Sequence, residues 1–166
     1  MAWILTRRNK TFCTVFLLMF MSGCSWAPFW KKPSEPSFAD LSELEKKLYD
    51  EFRRWQGTPY SHGGNDAKGI DCSGFVIKIY EKLFGILLPR DTIQQAAMGI
   101  SVSEDRLRAG DLLFFSQYSK KINHVGIYLK DGKFIHASTS KGVMLSRLDL
   151  AYWQNAYRTA RRIIVP

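Results

Sequence analysis

The sequence is poor in cysteine, in long apolar runs and in the short motifs that hold metals or phosphates, and each shortage excludes a class of protein. Only three cysteines occur in 166 residues, too few for a disulfide framework. No uninterrupted apolar run reaches the ~20 residues of a membrane-spanning helix. Neither a CxxC nor an HExxH spacing occurs, and no glycine-rich loop ends in the Lys-Ser or Lys-Thr of phosphate-binding loops. We therefore expect no metal ion and no cofactor.

Basic residues exceed acidic ones, but they are dispersed along the chain. The formal net charge is +9, from 24 Lys and Arg against 15 Asp and Glu. Nucleic-acid binding usually shows clustered cations together with a recognisable motif. Here no basic run is longer than a pair, and no zinc-finger or helix-turn-helix spacing is present. We therefore expect no nucleic-acid partner. The charge also suits a surface that faces anionic lipid or a carboxylate-rich cell wall.

The first 23 residues have the parts of an export signal. Arg7, Arg8 and Lys10 form a basic region, and an apolar segment over residues 11–21 follows it. This segment of ~11 residues suits a signal peptide and is too short to cross a bilayer. Small residues then precede Cys24, as in the lipobox of bacterial lipoproteins, in which the cysteine is lipidated and becomes the first residue. Cleavage as an ordinary signal peptide, with Cys24 incidental, is the alternative.

Residues 24–37 are typical of a linker rather than of a folded segment. They contain three prolines and show no apolar periodicity, which predicts a flexible tether between lipidated Cys24 and one domain over residues 38–166. The residue after Cys24 is Ser25 rather than Asp, and the resemblance to lipoprotein sorting then indicates the outer membrane. We expect a monomer in the cell envelope, anchored by lipid at the periplasmic face of that membrane.

Helical periodicity comes first along the chain and strand periodicity follows. The helices are predicted over residues 40–55, from the N-cap Asp71 to Gly85, and over 89–98. The strands are predicted over residues 112–115, 124–129, 133–138, 143–145 and 162–165. This order indicates an α+β domain in which N-terminal helices pack on a C-terminal antiparallel sheet.

Cys72 is the one cysteine left as a thiol once Cys13 leaves with the signal and Cys24 is lipidated. Asp71 is the predicted N-cap of the second helix, so Cys72 falls in the first turn. The N–H groups and dipole of that turn favour a thiolate, and a thiolate is the nucleophilic form. A histidine is the usual base near neutral pH. Cys72 is therefore a candidate nucleophile, although a buried structural cysteine is the alternative.

Two of the three histidines lie on neighbouring predicted strands. His124 shares a strand face with Gly126, and His136 follows the Asp131-Gly132 turn, whereas His62 lies in a glycine-rich loop and is expected at the surface. A two-residue loop would place His124 and His136 on opposite faces. An odd loop or a bulge would make them diagonal neighbours on one face, with ~7–8 Å between their backbones. If both histidines act together, the hairpin must therefore contain such an irregularity.

A series of short motifs occurs in one order at compact spacing between residues 57 and 138, within a similar stretch that runs from about residue 44 to residue 163. They are GTPY (57–60), GG (63–64), DCSGFV (71–76), LPR (88–90), QQ (94–95), GDLLFF (110–115), HVGIY (124–128) and FIHAS (134–138). Any one of them is a weak signal, but the set resembles the NlpC-type cell-wall cysteine peptidases. The resemblance implies a papain-like α+β fold whose catalytic cysteine helix packs against the antiparallel sheet.

The resemblance also implies a role for each matching residue. Cys72 would be the nucleophile, His124 the general base and acid, and His136 the group that orients His124. Tyr60 would lie on the oxyanion and substrate side. The substrate would be a peptidoglycan stem peptide, cut at γ-D-Glu–diaminopimelate or D-Ala–diaminopimelate bonds. A lipid-anchored wall-binding scaffold without activity, and a papain-like amidase or acyltransferase, are the alternatives.

Overall fold

The computed structural model describes residues 42–164 of the chain. The α-helices of this segment are α1 (Glu43–Trp55), α2 (Cys72–Phe84), α3 (Thr92–Ala96) and α4 (Ala151–Ala156). The export signal, lipidated Cys24 and tether predicted for residues 1–37 lie outside the described residues. Among the helices of residues 42–164, none is long and apolar enough to cross a membrane.

Most of the strands of the described segment belong to a single antiparallel sheet. A small hairpin comes first, made of β1 (Asn65–Asp66) and β2 (Gly69–Ile70). The sheet contains β3 (Ile100–Val102), β4 (Leu112–Phe115), β5 (His124–Tyr128), β6 (Lys133–Ser138), β7 (Gly142–Arg147) and β8 (Tyr157–Arg162). Its strand order is β3-β8-β4-β5-β6-β7, and every neighbouring pair is antiparallel. The predicted α+β class and antiparallel sheet are confirmed.

Side chains at the helix ends explain where α1 and α2 begin and end. Ser42 and Glu45 form a capping box, in which each side chain accepts a hydrogen bond from the other residue's backbone N–H. The α2 helix has Asp71 as its N-cap and ends at Gly85, whose φ of 66° is left-handed. The predicted boundaries of α2 are thereby confirmed, and Cys72 is its first helical residue.

Both faces of the six-stranded sheet are covered, so the domain has two cores. Phe75 of α2 is fully buried together with Phe114 of β4 in the first core. The next residue of β4, Phe115, belongs to the second core with Phe134 and Trp153. Because successive residues of a strand point to opposite faces, α2 and α4 cover opposite sides of the sheet.

The turn between β5 and β6 contains the irregularity that the histidine spacing requires. Asp131 and Gly132 both have left-handed φ values, 52° and 72°. The Lys133 N–H donates to the Lys130 carbonyl, and the Leu129 N–H donates to the Lys133 carbonyl, each at 2.9 Å. Two residues of one strand therefore face Lys133 of the other, which is a bulge.

This bulge sets the strand register that brings the two histidines together. Ile127 pairs with Ile135 in the β5–β6 ladder. Because the strands are antiparallel, one step back along β5 matches one step forward along β6, so Gly126 faces His136. His136 then lies diagonally across from His124 on the same face. The predicted odd loop or bulge is confirmed.

Candidate active site

Cys72 lies at the point where α2 meets the beginning of β5. The Gly74 N–H donates to the Asp71 carboxylate at 2.7 Å, which closes the N-cap and places Cys72 in the first turn. The Cys72 side chain is 5% exposed. Its Sγ lies 4.0 Å from the Asn123 carbonyl oxygen, and the Val125 N–H favours its thiolate. The thiol therefore touches the backbone on both sides of His124 in the chain.

His124 and His136 form a hydrogen-bonded pair that ends at a serine. His124 Nε2 lies 2.9 Å from His136 Nδ1, and His136 Nε2 lies 2.9 Å from Ser146 Oγ of β7. The two histidines are 2% and 1% exposed. Their rings meet nearly at right angles, at 84°. Both ring nitrogens of His136 are thus in use, and the bond to His136 takes Nε2 of His124.

Aromatic side chains enclose the histidine pair. Trp153 of α4 stacks on His124 with ring centroids 5.6 Å apart, and meets His136 edge-on at 4.9 Å. Phe134 lies 5.1 Å from the His136 ring and Phe115 lies 6.0 Å from the His124 ring. This box removes water from both imidazoles and restricts their orientation. Trp153 is not among the predicted site residues, because the short α4 helix has no capping side chain to indicate it.

Burial decides the protonation state of the thiol. Burial raises the pKa of Cys72, and the negative charge of Asp71 raises it further. The N–H groups of Val125 and Ser73 and the side chain of Thr92 oppose this rise without overcoming it. The expectation of a lowered thiol pKa is therefore wrong for this resting state, because desolvation of a charged sulfur outweighs the hydrogen bonds that favour the thiolate.

Burial also decides the protonation state of the histidines. It lowers the pKa of His124 to about 4. It lowers the pKa of His136 well below the ordinary value, and the neighbouring positive charge of a protonated His124 adds to that effect. Both imidazoles are therefore neutral near pH 7. The resting site contains a neutral thiol and a neutral histidine pair, not an ion pair.

The guanidinium group of Arg90 holds the start of α2 in place. Arg90 donates to both carboxylate oxygens of Asp71, at 2.9 and 2.6 Å, and to Ser73 Oγ at 2.6 Å. Burial alone would raise the pKa of Asp71, but the hydrogen bonds from Arg90, Gly74 and Gly63 hold it below its ordinary value. The charged pair fixes the N-cap and hence the position of the neighbouring Cys72. Asp71 and Arg90 form an ion pair next to Cys72, a contact that sequence spacing alone does not predict.

Tyr60 lies in the same cleft as Cys72. Its backbone bridges to Ile70, immediately before the N-cap of α2. Burial raises the pKa of its phenol, and the charge of a Cys72 thiolate and that of Asp71 would raise it further, against the lowering effect of Arg90. The hydroxyl group therefore stays protonated and can donate a hydrogen bond.

The cleft has a volume of about 490 Å³, which is the size of a small-molecule or peptide site. Its lining residues are Tyr60, His62, Gly63, Asp71, Cys72, Ser73, Arg90, Asp91, Thr92, Ile93, Ile122 and Asn123. The exposed His62 is at the surface, as predicted. A second cavity of about 530 Å³, beside the beginning of α1, has no cysteine or histidine in its lining. Within residues 42–164, no cluster of three or more His, Cys, Asp or Glu side chains is arranged to hold a metal ion.

The predicted site residues within the described segment are brought together as follows. Cys72 and Tyr60 share the cleft. His124 and His136 are hydrogen-bonded to each other, and the Cys72 thiol lies against the carbonyl of Asn123, the residue before His124. Cys24, the predicted lipidation site, lies outside the described residues. Ser146, which accepts or donates the last hydrogen bond in the His124–His136–Ser146 series, is not among the predicted site residues. The sequence pattern predicts how β5 and β6 pair, but it does not predict how β7 pairs with β6.

A cysteine in the first turn of a helix that packs on an antiparallel sheet, with paired histidines on that sheet, defines a thiol hydrolase class. Residues 57–162 match the NlpC/P60 family. The chain belongs to this family.

Two bacterial proteins illustrate the similarity. The probable endopeptidase NlpC of Escherichia coli (strain K12) is 44% identical over 156 residues, which are 92% of this chain and 99% of that protein. The murein DD-endopeptidase MepS/murein LD-carboxypeptidase of the same strain is 44% identical over 122 residues, which are 74% of this chain and 64% of that protein.

A solved structure shows the same fold. The NlpC/P60 family protein of Bacillus cereus ATCC 10987 superposes with a TM-score of 0.66 and is 32% identical. The match covers 74% of this chain and 41% of the B. cereus chain. The α+β fold is thus the fold of known NlpC/P60 domains.

Proposed function

We propose that this protein is a peptidoglycan endopeptidase, a thiol hydrolase that cleaves an amide bond in diaminopimelate-containing stem peptides or their cross-links. The observation that carries the proposal is the cleft in which Cys72 begins α2 against β5, while His124 of β5 bonds His136 at 2.9 Å. Membership of the NlpC/P60 family supports it. So do the similar proteins named as a probable endopeptidase and a murein DD-endopeptidase.

In the first step, the Cys72 sulfur attacks the carbonyl carbon of the scissile amide. Because burial raises the thiol pKa and lowers that of His124, the proton moves during the attack and not before it. The thiol leaves the Asn123 carbonyl and gives its proton to Nδ1 of His124. A C–S bond forms, and the carbonyl electron pair moves onto the oxygen.

Donors at the start of α2 and in the cleft stabilise the resulting oxyanion. The Cys72 N–H belongs to the first turn, where backbone N–H groups have no partner inside the helix. The protonated Tyr60 hydroxyl lies in the same cleft. Such donors act most strongly on charge that develops in the transition state.

In the second step, His124 returns its proton to the leaving amine and the C–N bond breaks. The thioester of Cys72 remains. Water then attacks the thioester while His124 accepts a proton from it, and the thiol is regenerated with release of the carboxylic acid. His136 holds the His124 ring through Nε2, which leaves Nδ1 as the nitrogen that takes and returns the proton in this mechanism.

The test is digestion of purified diaminopimelate-type peptidoglycan by the full chain in detergent, followed by mass analysis of released muropeptides. Hydrolysed stem peptides should appear with the native chain and vanish with Cys72→Ala, and their masses identify the bond. Acyl groups transferred to an added amine would instead indicate an acyltransferase. Wall binding with no product from either protein would indicate the non-catalytic scaffold.

We also propose that Cys24 carries the lipid anchor and that the domain over residues 38–166 faces the periplasm from the outer membrane. The proposal rests on the sequence alone: the basic region, the apolar segment and the small residues before Cys24. Cys24→Ala should release the protein from the membrane fraction, and Cys13→Ala should leave its location unchanged. Retention of the Cys24→Ala protein in the outer membrane would contradict the proposal.

A further inference from the structure

We infer that Ser146 of β7 is a positioning residue, which keeps the histidine pair in the one tautomeric arrangement that can accept the Cys72 proton. This inference rests on the proposed function, because it assumes that His124 acts as the base. Ser146 is not among the residues that line the cleft. It acts only through His136, to which its Oγ is bonded at 2.9 Å.

The two hydrogen bonds of His136 depend on each other. A neutral imidazole has one N–H and one lone pair, so it donates from one nitrogen and accepts at the other. His136 Nδ1 bonds His124 Nε2 and His136 Nε2 bonds Ser146 Oγ. The direction of one bond therefore fixes the direction of the other.

Only one of the two directions allows proton transfer from the thiol. If His136 Nε2–H donates to Ser146, its Nδ1 accepts the Nε2–H of His124, and His124 Nδ1 keeps a lone pair for the thiol proton. If Ser146 donates instead, His136 Nδ1–H donates to His124 Nε2, and the hydrogen of His124 is on Nδ1. In that second arrangement His124 cannot act as a base toward Cys72.

Burial makes the acceptor at position 146 necessary. His136 is 1% exposed and lies against Phe134 and Trp153, so its ring has lost most of its water and its Nε2–H meets the partly buried Ser146 hydroxyl. A buried N–H with no acceptor is among the rarest unsatisfied groups in proteins. Removing the Ser146 oxygen therefore disfavours the productive tautomer. It also disfavours the His124 imidazolium, which must donate to His136 Nδ1 during the reaction.

The sequence explains why Ser146 reaches His136. Phe134 pairs with Ser146 and His136 pairs with Met144 in the β6–β7 ladder. Ser146 is thus the diagonal neighbour of His136 on the same sheet face. The same relation, one strand further along, joins His136 to His124.

The first test compares Ser146→Ala with Ser146→Thr in the full chain, using release of stem peptides from peptidoglycan as the assay. Ser146→Ala should lower kcat about tenfold, the effect of one hydrogen bond to a charged transition state, with KM unchanged. Ser146→Thr keeps the hydroxyl group and should retain activity within about threefold of the native level. The matched control is Ser138→Ala, because Ser138 is in β6 and its hydroxyl contacts Ser140 rather than a histidine.

A third variant separates positioning from a merely structural effect. Ser146→Asp introduces a carboxylate that accepts the same Nε2–H and stabilises the protonated pair. The acid limb of the kcat/KM profile should therefore move to higher pH. A packing role alone would not move this limb. An unmoved limb, or a Ser146→Ala enzyme with native kcat, would overturn the inference.

The second test needs no activity and so separates this inference from the proposed function. In the Cys72→Ala background, ¹⁵N NMR of the imidazoles should show His136 protonated at Nε2 and His124 protonated at Nε2. Adding Ser146→Ala should shift this tautomer population. The opposite tautomer in Cys72→Ala would refute the positioning role even if Cys72 proves to be the nucleophile. Native activity in Cys72→Ala would refute the proposed function instead.

Discussion

Acidification should destabilise this domain through its buried histidine pair, at pH values where most carboxylates are still ionised. Burial lowers the pKa of His124 to about 4, and His136 is shifted in the same direction. In the unfolded chain both return to the ordinary value of about 6.5. Between these values the unfolded state binds more protons than the folded state, so stability falls as the pH falls.

The size of this effect follows from the His124 shift. A difference of about 2.5 pKa units corresponds to a loss of about 3 kcal/mol between pH 7 and pH 4, and His136 adds to it in the same direction. A domain of this size has a free energy of unfolding of about 5–15 kcal/mol, so the loss is a large share. The lowered pKa of Asp71 acts in a separate window, because its contribution is lost only below about pH 4.

Urea unfolding at closely spaced pH values between 7 and 4 measures the effect directly. The native chain should lose about 3 kcal/mol or more over this range. His62→Gln should leave the slope unchanged, because His62 is exposed in the folded chain. His124→Asn should flatten the slope. A native free energy of unfolding that stays constant within about 0.5 kcal/mol would refute the burial argument.

Three substitutions test other parts of the site by urea unfolding or by the pH profile. Arg90→Met removes the counter-ion of the buried Asp71 carboxylate and should lower the free energy of unfolding by about 2 kcal/mol. This loss is smaller than for a fully buried ion pair, because Arg90 is partly exposed. Gly126→Ala places a Cβ 2.7 Å from the Phe134 ring and should cost about 1–3 kcal/mol. Trp153→Leu admits water to the histidines, so the acid limb of activity should move to higher pH. Native stability of Arg90→Met or Gly126→Ala, or an acid limb of activity that stays in place in Trp153→Leu, would contradict these arguments.

Local signals in the sequence predict the helix and the hairpin that position the thiol and the histidines. The N-cap Asp71 and the left-handed Gly85 indicate both ends of α2, because capping depends on residues next to each other in the chain. The parity of His124 and His136 also predicts a bulge without any structure. These are short-range rules, and the structure confirms them.

Long-range packing accounts for what the sequence patterns missed. The last strand is Tyr157–Arg162 and inserts between β3 and β4, whereas periodicity placed it over residues 162–165. The three-residue β3 and the uncapped α4 carry too little pattern to be predicted. Gly126 makes room for the Phe134 ring, a cross-strand contact that the sequence pattern does not reveal. The raised thiol pKa likewise depends on burial, which local spacing does not reveal.

Covalent capture of the nucleophile tests the assignment of Cys72 most directly. The full chain is incubated with a stem-peptide analogue that carries a vinyl sulfone in place of the scissile amide, and the labelled residue is identified by peptide mapping. We predict one adduct, on Cys72, that is absent in Cys72→Ala and forms more slowly in His124→Ala. A control analogue in which every residue has the L configuration (the all-L analogue) should label Cys72 only weakly. Labelling at another residue, or equal labelling by the all-L analogue, would contradict the assignment of Cys72 as the nucleophile of a peptidoglycan endopeptidase.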